Sequence, residues 1–383
     1  MKMVCHREGI LAACQLASAA IASKDVKPVL RNLKAIVTED RCTLMGTDLE
    51  LGIRIDVRGI KVEDEGSALL QTAQIIKILR ECNDEELTIE AGMDRCTITG
   101  ASTEFEMPGE DPSAFPEFPA FNEAKYHEIT AGVLREMIRR VTFAVASAEH
   151  SKFGATVGVL WELDGEKVTL VATDGRRLAL VNGLGQAKGE HTTKGQTPVV
   201  PLKAMMLLER NLVEPDELVK ISFRPNEVLM KTERAMIYSR LVEGRFPNYR
   251  QVIPKDLAVK IPLTVGPFHS AIRQAAIMTD DESKKVVFHF TKNKLTLQAS
   301  AAETGRSKVE MPIEFNHKAI DIGFDPKFVG DMLKVLEPDA PVSMQLTDDK
   351  TPVVFSQEPN YTYVVVPLVS ASAPQKTPEP SAN

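Results

Sequence analysis

The sequence predicts an α+β protein of three repeated units, each with two helices packed on antiparallel sheets, and three observations carry that expectation. Amphipathic segments at 72–81, 201–210 and 326–336 have starts 129 and 125 residues apart. Each is followed by an acidic turn and two stretches of alternating apolar and polar residues, the period of paired strands. Thr47-Asp48 and Thr173-Asp174 fall 126 residues apart at the same place in the unit. A period of this length, held through helix, turn and strands, marks a repeated structural unit.

Each unit opens with a strand and a helix. The strands are expected at 2–6, 126–130 and 259–265, and the helices at 7–20, 131–146 and 267–279. In the middle helix Leu134, Ile138, Val141 and Val145 lie on one face, the side that packs inward. Residues 10–22 follow Lys2 and Arg7 and imitate an apolar targeting segment. They are mostly alanine, include Gln15, and occupy a slot that is helical in the two later units, so they are expected to be structural. Thr72 is placed to cap the second helix of the first unit, Pro201 suits a first helical turn, and Asp325-Pro326 supplies both devices. Strand pairs are expected at 87–90 with 96–99, 218–223 with 227–232, and 341–346 with 351–356. Thr173-Asp174-Gly175 has the composition of a turn between strands. The Pro/Phe-rich stretch 115–121 and residues 253–256 read as linkers. The expected domains are therefore 1–122, 126–254 and 256–369, with a Pro-rich, hydrophobe-poor tail at 371–383 expected to be disordered.

Composition narrows the function. The chain has 383 residues, 43% hydrophobic and 26% charged, the proportions of an ordinary folded protein. No apolar run reaches the length of a membrane-spanning helix. The five cysteines, Cys5, Cys14, Cys42, Cys82 and Cys96, are odd in number and lack metal-ligand spacing; buried, reduced thiols in a cytoplasmic protein are expected. No phosphate loop, dinucleotide fingerprint, nucleophile elbow or zinc-protease motif occurs, so neither catalysis nor a cofactor is expected. Asp174 beside Arg176 and Arg177 leaves open a site for a phosphorylated metabolite.

The charge is unevenly placed. The net charge is −7, yet the six helical segments carry 11 basic and only 5 acidic residues. Lys203 with Arg210, and Lys327 with Lys334, are spaced i, i+7, and Arg135 with Arg139 i, i+4, so each pair shares a face. Such faces fit solvent decoration, a reader of base sequence, or a basic lining for a phosphate backbone.

Several motifs resemble one family. LVATDGRRLAL at 170–180, SRLVEGRFPNYRQVIP at 239–254, YVVVPL at 363–368, GTDLE at 46–50 and the N-terminal Met1-Lys2 are similar, in order and at family spacing, to the bacterial sliding clamps, the β subunits of DNA polymerase III. The resemblance covers residues 1 to about 369. It implies the DNA clamp fold and a non-catalytic processivity factor. It further implies a head-to-tail homodimeric ring around duplex DNA, loaded by a clamp loader complex, that tethers the polymerase III α subunit and other proteins bearing a clamp-binding motif. Carried over residue by residue, the partner pocket falls on Thr173, Gly175, Arg176, Arg177, Leu178, Pro247, Arg250, Val252, Val364, Val366, Pro367 and Leu368. Arg176 stands where many members have His, Gln251 where a second Arg is common, and Thr156 where an aliphatic wall residue is frequent. The DNA-lining set joins Lys24 and Lys152, at positions the family suggests, to the helical residues Lys77, Arg80, Arg135, Arg139, Lys203, Arg210, Arg273, Lys327 and Lys334.

Packing geometry is consistent with a dimer. A domain of about 125 residues is roughly 35 Å wide. Three in a ring leave a hole of only about 5 Å, whereas six leave one of about 35 Å, wide enough for a duplex roughly 20 Å across.

Overall fold

The computed structural model describes residues 1–21, 27–117, 119–147, 149, 154–255, 257–280, 284–301 and 304–368. Six α-helices occur among them: α1 (Arg7–Ser18), α2 (Thr72–Glu81), α3 (Ala131–Thr142), α4 (Leu202–Asn211), α5 (Val265–Ala276) and α6 (Pro326–Leu333). They alternate with antiparallel sheets in the order the repeat predicts. The opening strands are Lys2–His6, Tyr126–Thr130 and Val259–Thr264, and each runs directly into its helix. All three strand pairs expected after the second helices are present, at Glu86–Ala91 with Arg95–Thr99, Leu218–Arg224 with Glu227–Lys231, and Pro341–Leu346 with Val353–Gln357.

The helix starts differ in detail from the expectation. Thr72 is the first helical residue rather than the cap, and its buried hydroxyl has no hydrogen-bond partner. Pro201 ends a strand and precedes α4. Asp325 does cap α6, accepting from the Lys327 N–H. The stretch resembling a targeting segment is α1, with Ile10, Ala13, Cys14 and Ala17 buried. It lies so close to strand Arg41–Thr47 that a Cβ on Gly46 would stand 2.5 Å from the Ala17 carbonyl oxygen.

The chain forms two compact units. The first comprises Met1–Ile138, Ser147–Leu170 and Asn182–Phe246. It contains a five-stranded sheet ordered Ile60–Asp64, Lys2–His6, Glu86–Ala91, Arg95–Thr99, Glu104–Pro108. Its nine-stranded sheet passes from the second repeat into the first where Ala235–Arg240 pairs with Leu51–Val57, Ser239 opposite Leu51. Two rings of the stretch expected as a linker pack into the core. Phe115 is buried in one core cluster with Met45, Leu69, Leu229, Met236 and Tyr238, and Phe121 packs against it. Two bulky rings drawn into the core cost less there than in water.

The second unit comprises Arg139–Ala146, Val171–Val181 and Pro247–Asn383. One sheet runs Gly305–Pro312, Lys294–Ala301, Val286–Thr291, Ile320–Phe324. Another places residues 177–181 beside Tyr361–Val365, then Val353–Gln357, Pro341–Leu346 and Val259–Thr264. Phe268, Phe288, Phe290, Phe324, Phe355 and Tyr363 are all fully buried in this unit.

Candidate functional site

Thr173-Asp174-Gly175 is a turn, and its side chains build it. The Thr173 hydroxyl accepts from the Gly175 N–H and donates to the Arg177 carbonyl. Asp174 Oδ1 accepts from the N–H groups of Arg176 at 2.9 Å and Arg177 at 3.0 Å. Gly175 has φ +85°, a conformation glycine adopts without strain. The turn at Thr47-Asp48-Leu49 has the same bonds, from Leu49 N–H to the Thr47 hydroxyl and from Glu50 and Leu51 N–H to Asp48 Oδ1. There Leu49 takes φ +78° in place of a glycine.

Behind the Asp174 turn lies Arg177. Its Nε donates to Asp174 at 3.0 Å, one terminal nitrogen to Asp331 at 3.0 Å and the other to the Phe143 carbonyl at 2.7 Å. The guanidinium stacks over Phe328, 4.5 Å from the ring centre, and Phe143. Burial would lower its pKa; Tyr363 and the carboxylates of Asp331 and Asp174 outweigh burial and hold it above the ordinary value. A buried guanidinium with a partner on each of its three nitrogens acts as a structural pin for the turn.

The strand Tyr361–Val365 completes the site. Leu178 faces Val364 across the ladder, the Val366 N–H donates to the Arg176 carbonyl at 2.9 Å, and the Leu368 N–H to the Gly323 carbonyl at 2.8 Å. Of the twelve candidate pocket residues, the structure therefore brings Thr173, Gly175, Arg176, Arg177 and Leu178 together with Val364, Val366, Pro367 and Leu368. Thr173, Arg177, Leu178, Val364 and Pro367 are buried and support the wall from within. Gly175, Arg176, Val366 and Leu368 are exposed. Pro247, Arg250 and Val252 belong to a short helical turn, Tyr249–Gln251, and its flanks in the same unit, where Val252 is 54% exposed and Arg250 lies over the Tyr249 ring. Val252, Val366 and Leu368 are the exposed aliphatics of this set, with Arg176 and Arg250 as its exposed cations. Thr156 is buried and lies in the other unit.

The candidate DNA-facing residues sort by exposure. Lys77, Arg80, Arg139, Lys203, Arg210, Arg273, Lys327 and Lys334 are exposed, Lys334 as the residue that ends α6. Lys203 pairs with Asp48 at 2.7 Å and Lys334 with Asp331 at 3.5 Å. Arg135 is half-buried and donates to the Leu212 carbonyl just past α4, so it helps join two helices. Lys24, Lys152 and the tail lie outside the described residues.

The sequence offered no signal for Asp331, Phe143 and Phe328 as partners of Arg177. Asp331 is 154 residues from Arg177 and reads locally as an ordinary helix charge.

All five cysteines are free and buried. Burial pushes the Cys5 and Cys42 thiols up to about 12 and Cys96 to about 11, which suppresses the reactive thiolate. Among the described residues no helix is long and apolar enough to cross a membrane.

Three family models match consecutive parts of the chain: the N-terminal domain of the DNA polymerase III beta subunit over residues 1–119, its central domain over 128–248 and its C-terminal domain over 250–369. The "Beta sliding clamp" of Haemophilus influenzae is 24% identical over 372 residues, covering 96% of this chain and all of that protein. The protein of the same name from Synechococcus elongatus is 27% identical over 377 residues, covering 96% and 99%. Among solved structures, the Pseudomonas aeruginosa DnaN sliding clamp bound to griselimycin superposes with TM-score 0.89 at 24% identity, covering 97% of this chain and all of that one. The Thermotoga maritima DNA polymerase III beta subunit superposes at 0.85 with 26% identity and the same coverage.

Proposed function

The chain belongs to the bacterial DNA polymerase III beta subunit family, and from that premise we propose a docking groove and a ring-closing contact for it. Its function is that of a DNA sliding clamp: a non-catalytic dimeric ring that encircles duplex DNA, is handled by a clamp loader, and tethers the polymerase. The match of all three family domains, in order, carries this conclusion. We place the domain boundaries at 122–126 and 254–256, and the protein in the cytoplasm with the DNA it serves.

The docking groove is formed by Val252, Val366 and Leu368 with Arg176 and Arg250 at its margin. Support comes from the exposure of these aliphatics on a rigid, internally bonded wall. Apolar anchors with a few fixed polar groups suit a short extended peptide. The exposed basic residues of the helices face the duplex and meet phosphates without reading bases.

Ring closure is proposed between two edge strands. Glu104–Pro108 ends one sheet and exposes Glu104 and Glu106; Gly305–Pro312 ends another and exposes Arg306, Lys308 and Glu310, the last paired with Lys308, so the two edges differ in net charge, negative against positive. Edges of opposite charge favour pairing between different ends of two copies, which is a head-to-tail contact. The test is topological. Protein loaded on a nicked circular plasmid should stay, and should leave once the plasmid is linearised. Equal retention on both forms, or a native mass of one chain, overturns the ring.

A further inference from the structure

A cleft of about 1270 Å³ opens in the first unit between residues 196–201, the 225–227 turn and the stretch 238–244, with Glu50 at its rim. It exceeds the roughly 300–1,000 Å³ of small-molecule sites and has room for a length of peptide. Its frame repeats that of the groove described above. The Asp48 turn has the bonds of the Asp174 turn, and the Arg240 N–H donates to the Glu50 carbonyl at 2.8 Å as the Val366 N–H does to Arg176. The chain then continues as the cleft wall, with Leu241 N–H bonded to the Asn226 carbonyl and Val242 N–H to the Val199 carbonyl.

Equivalent backbone carries different chemistry. Glu50 stands in the place of Arg176, and Arg240 in that of Val366. Their side chains pair at 3.2 Å and both remain more than half exposed. Glu50, Glu227 and Glu243 line the cleft; Arg240 pairs with Glu50 and Arg224 behind the wall pairs with Glu227, so Glu243 supplies the excess negative charge. Pro198, Pro201 and Pro225 contribute no N–H, and the Leu241 and Val242 N–H groups are already used. The prolines and the used N–H groups thin the backbone donors of the wall, while Gln196, Thr197, Asn226, Tyr238 and Arg240 supply side-chain donors beside the three carboxylates. Such a surface repels nucleic acid and acidic segments and suits a chain carrying ammonium or guanidinium groups.

We propose that this cleft is a second docking site, taking an extended basic peptide segment of a partner protein. It rests on the groove reading only for the shared frame; the occupant follows from the cleft's own charge. Two partner segments could then hold one subunit at once, the apolar one at Val366 and the basic one at Glu50.

The probe is a fluorescein-labelled peptide of four Lys-Pro repeats, titrated against the intact protein at 0.15 M salt, beside a polymerase-derived clamp-binding peptide. E50K/E243K should weaken the basic peptide at least about tenfold, since two favourable charge contacts become repulsive. The same variant should leave the clamp-binding peptide unchanged. R240A should tighten the basic peptide severalfold, because Glu50 loses its partner. E50Q/E243Q, which changes charge with little change of shape, should weaken it less than the reversal. Absence of binding, binding indifferent to these substitutions, or displacement by the clamp-binding peptide overturns the proposal. Failure of the clamp-binding peptide to bind would instead count against the groove alone.

Discussion

Arg177 and Asp331 meet at 3.0 Å although 154 residues separate them, and this bond ties the Asp174 turn to α6. Asp331→Asn keeps the shape and removes the charge from a largely buried pair. The expected cost is about 3 kcal/mol, because the guanidinium keeps its burial and loses a counter-charge. Affinity for a clamp-binding peptide should fall with it. Urea unfolding and peptide titration check this; an unchanged midpoint refutes the pin.

His127 and His191 supply a pH prediction. The Phe223 N–H donates to His191 Nε2, so neutral His191 carries its proton on Nδ1 and donates to His127 Nδ1 at 2.7 Å; His127 Nε2–H then donates to the Gly165 carbonyl at 3.0 Å. Both rings are satisfied only when neutral. Burial lowers both pKa values, with the neighbouring imidazole adding to the effect at His191, which falls to about 4. The unfolded chain therefore binds more protons, and stability present above pH 6.5 is lost as the pH falls towards 4. His191 contributes roughly 2–3 kcal/mol of this change. Wild type minus His191→Gln, compared by urea unfolding from pH 7.5 to 4.5, should show the loss. Imidazole resonances of His191 titrating near 6.5 would refute it.

Charge reversal separates lining from scaffold. R80E/R210E changes two exposed helical residues and should reduce retention on nicked circular DNA, lower the salt dependence, and leave native mass unaltered. Arg135→Glu should instead lower thermal stability, since its guanidinium bonds the Leu212 carbonyl. Unchanged DNA retention in the double variant would show that these faces point away from the duplex.

Truncation tests the groove. Removing residues 371–383 should leave clamp-peptide binding nearly intact. Removing everything from Pro367 deletes two apolar residues, each worth roughly 1.5–3 kcal/mol when buried, and should weaken binding at least about a hundredfold. If the short deletion does equal harm, the tail belongs to the site.

The repeat made most of the fold legible. Period and alternation are local properties, and strands such as Tyr126–Thr130 and Pro341–Leu346 fall where they were expected. The Asp174 turn was legible too, since Asp and Gly set it within five residues. Long-range relations were not. Nothing near Phe115 announces that it leaves the apparent linker for a core shared with Tyr238, and nothing near Arg177 announces Asp331. A basic helix position also does not say whether the cation meets solvent, as Arg210 does, or a carbonyl, as Arg135 does.

The pairing of Leu51–Val57 with Ala235–Arg240 also bears on the order of events at the ribosome. The first strand is synthesised about 180 residues before its neighbour, so at bacterial elongation rates its edge waits roughly 10–40 s for a partner. During that interval an apolar strand offers unpaired N–H and carbonyl groups to any other nascent chain. Arg54 and Asp56 alternate with its apolar residues, and charges at these positions limit such encounters while the strand is unpaired.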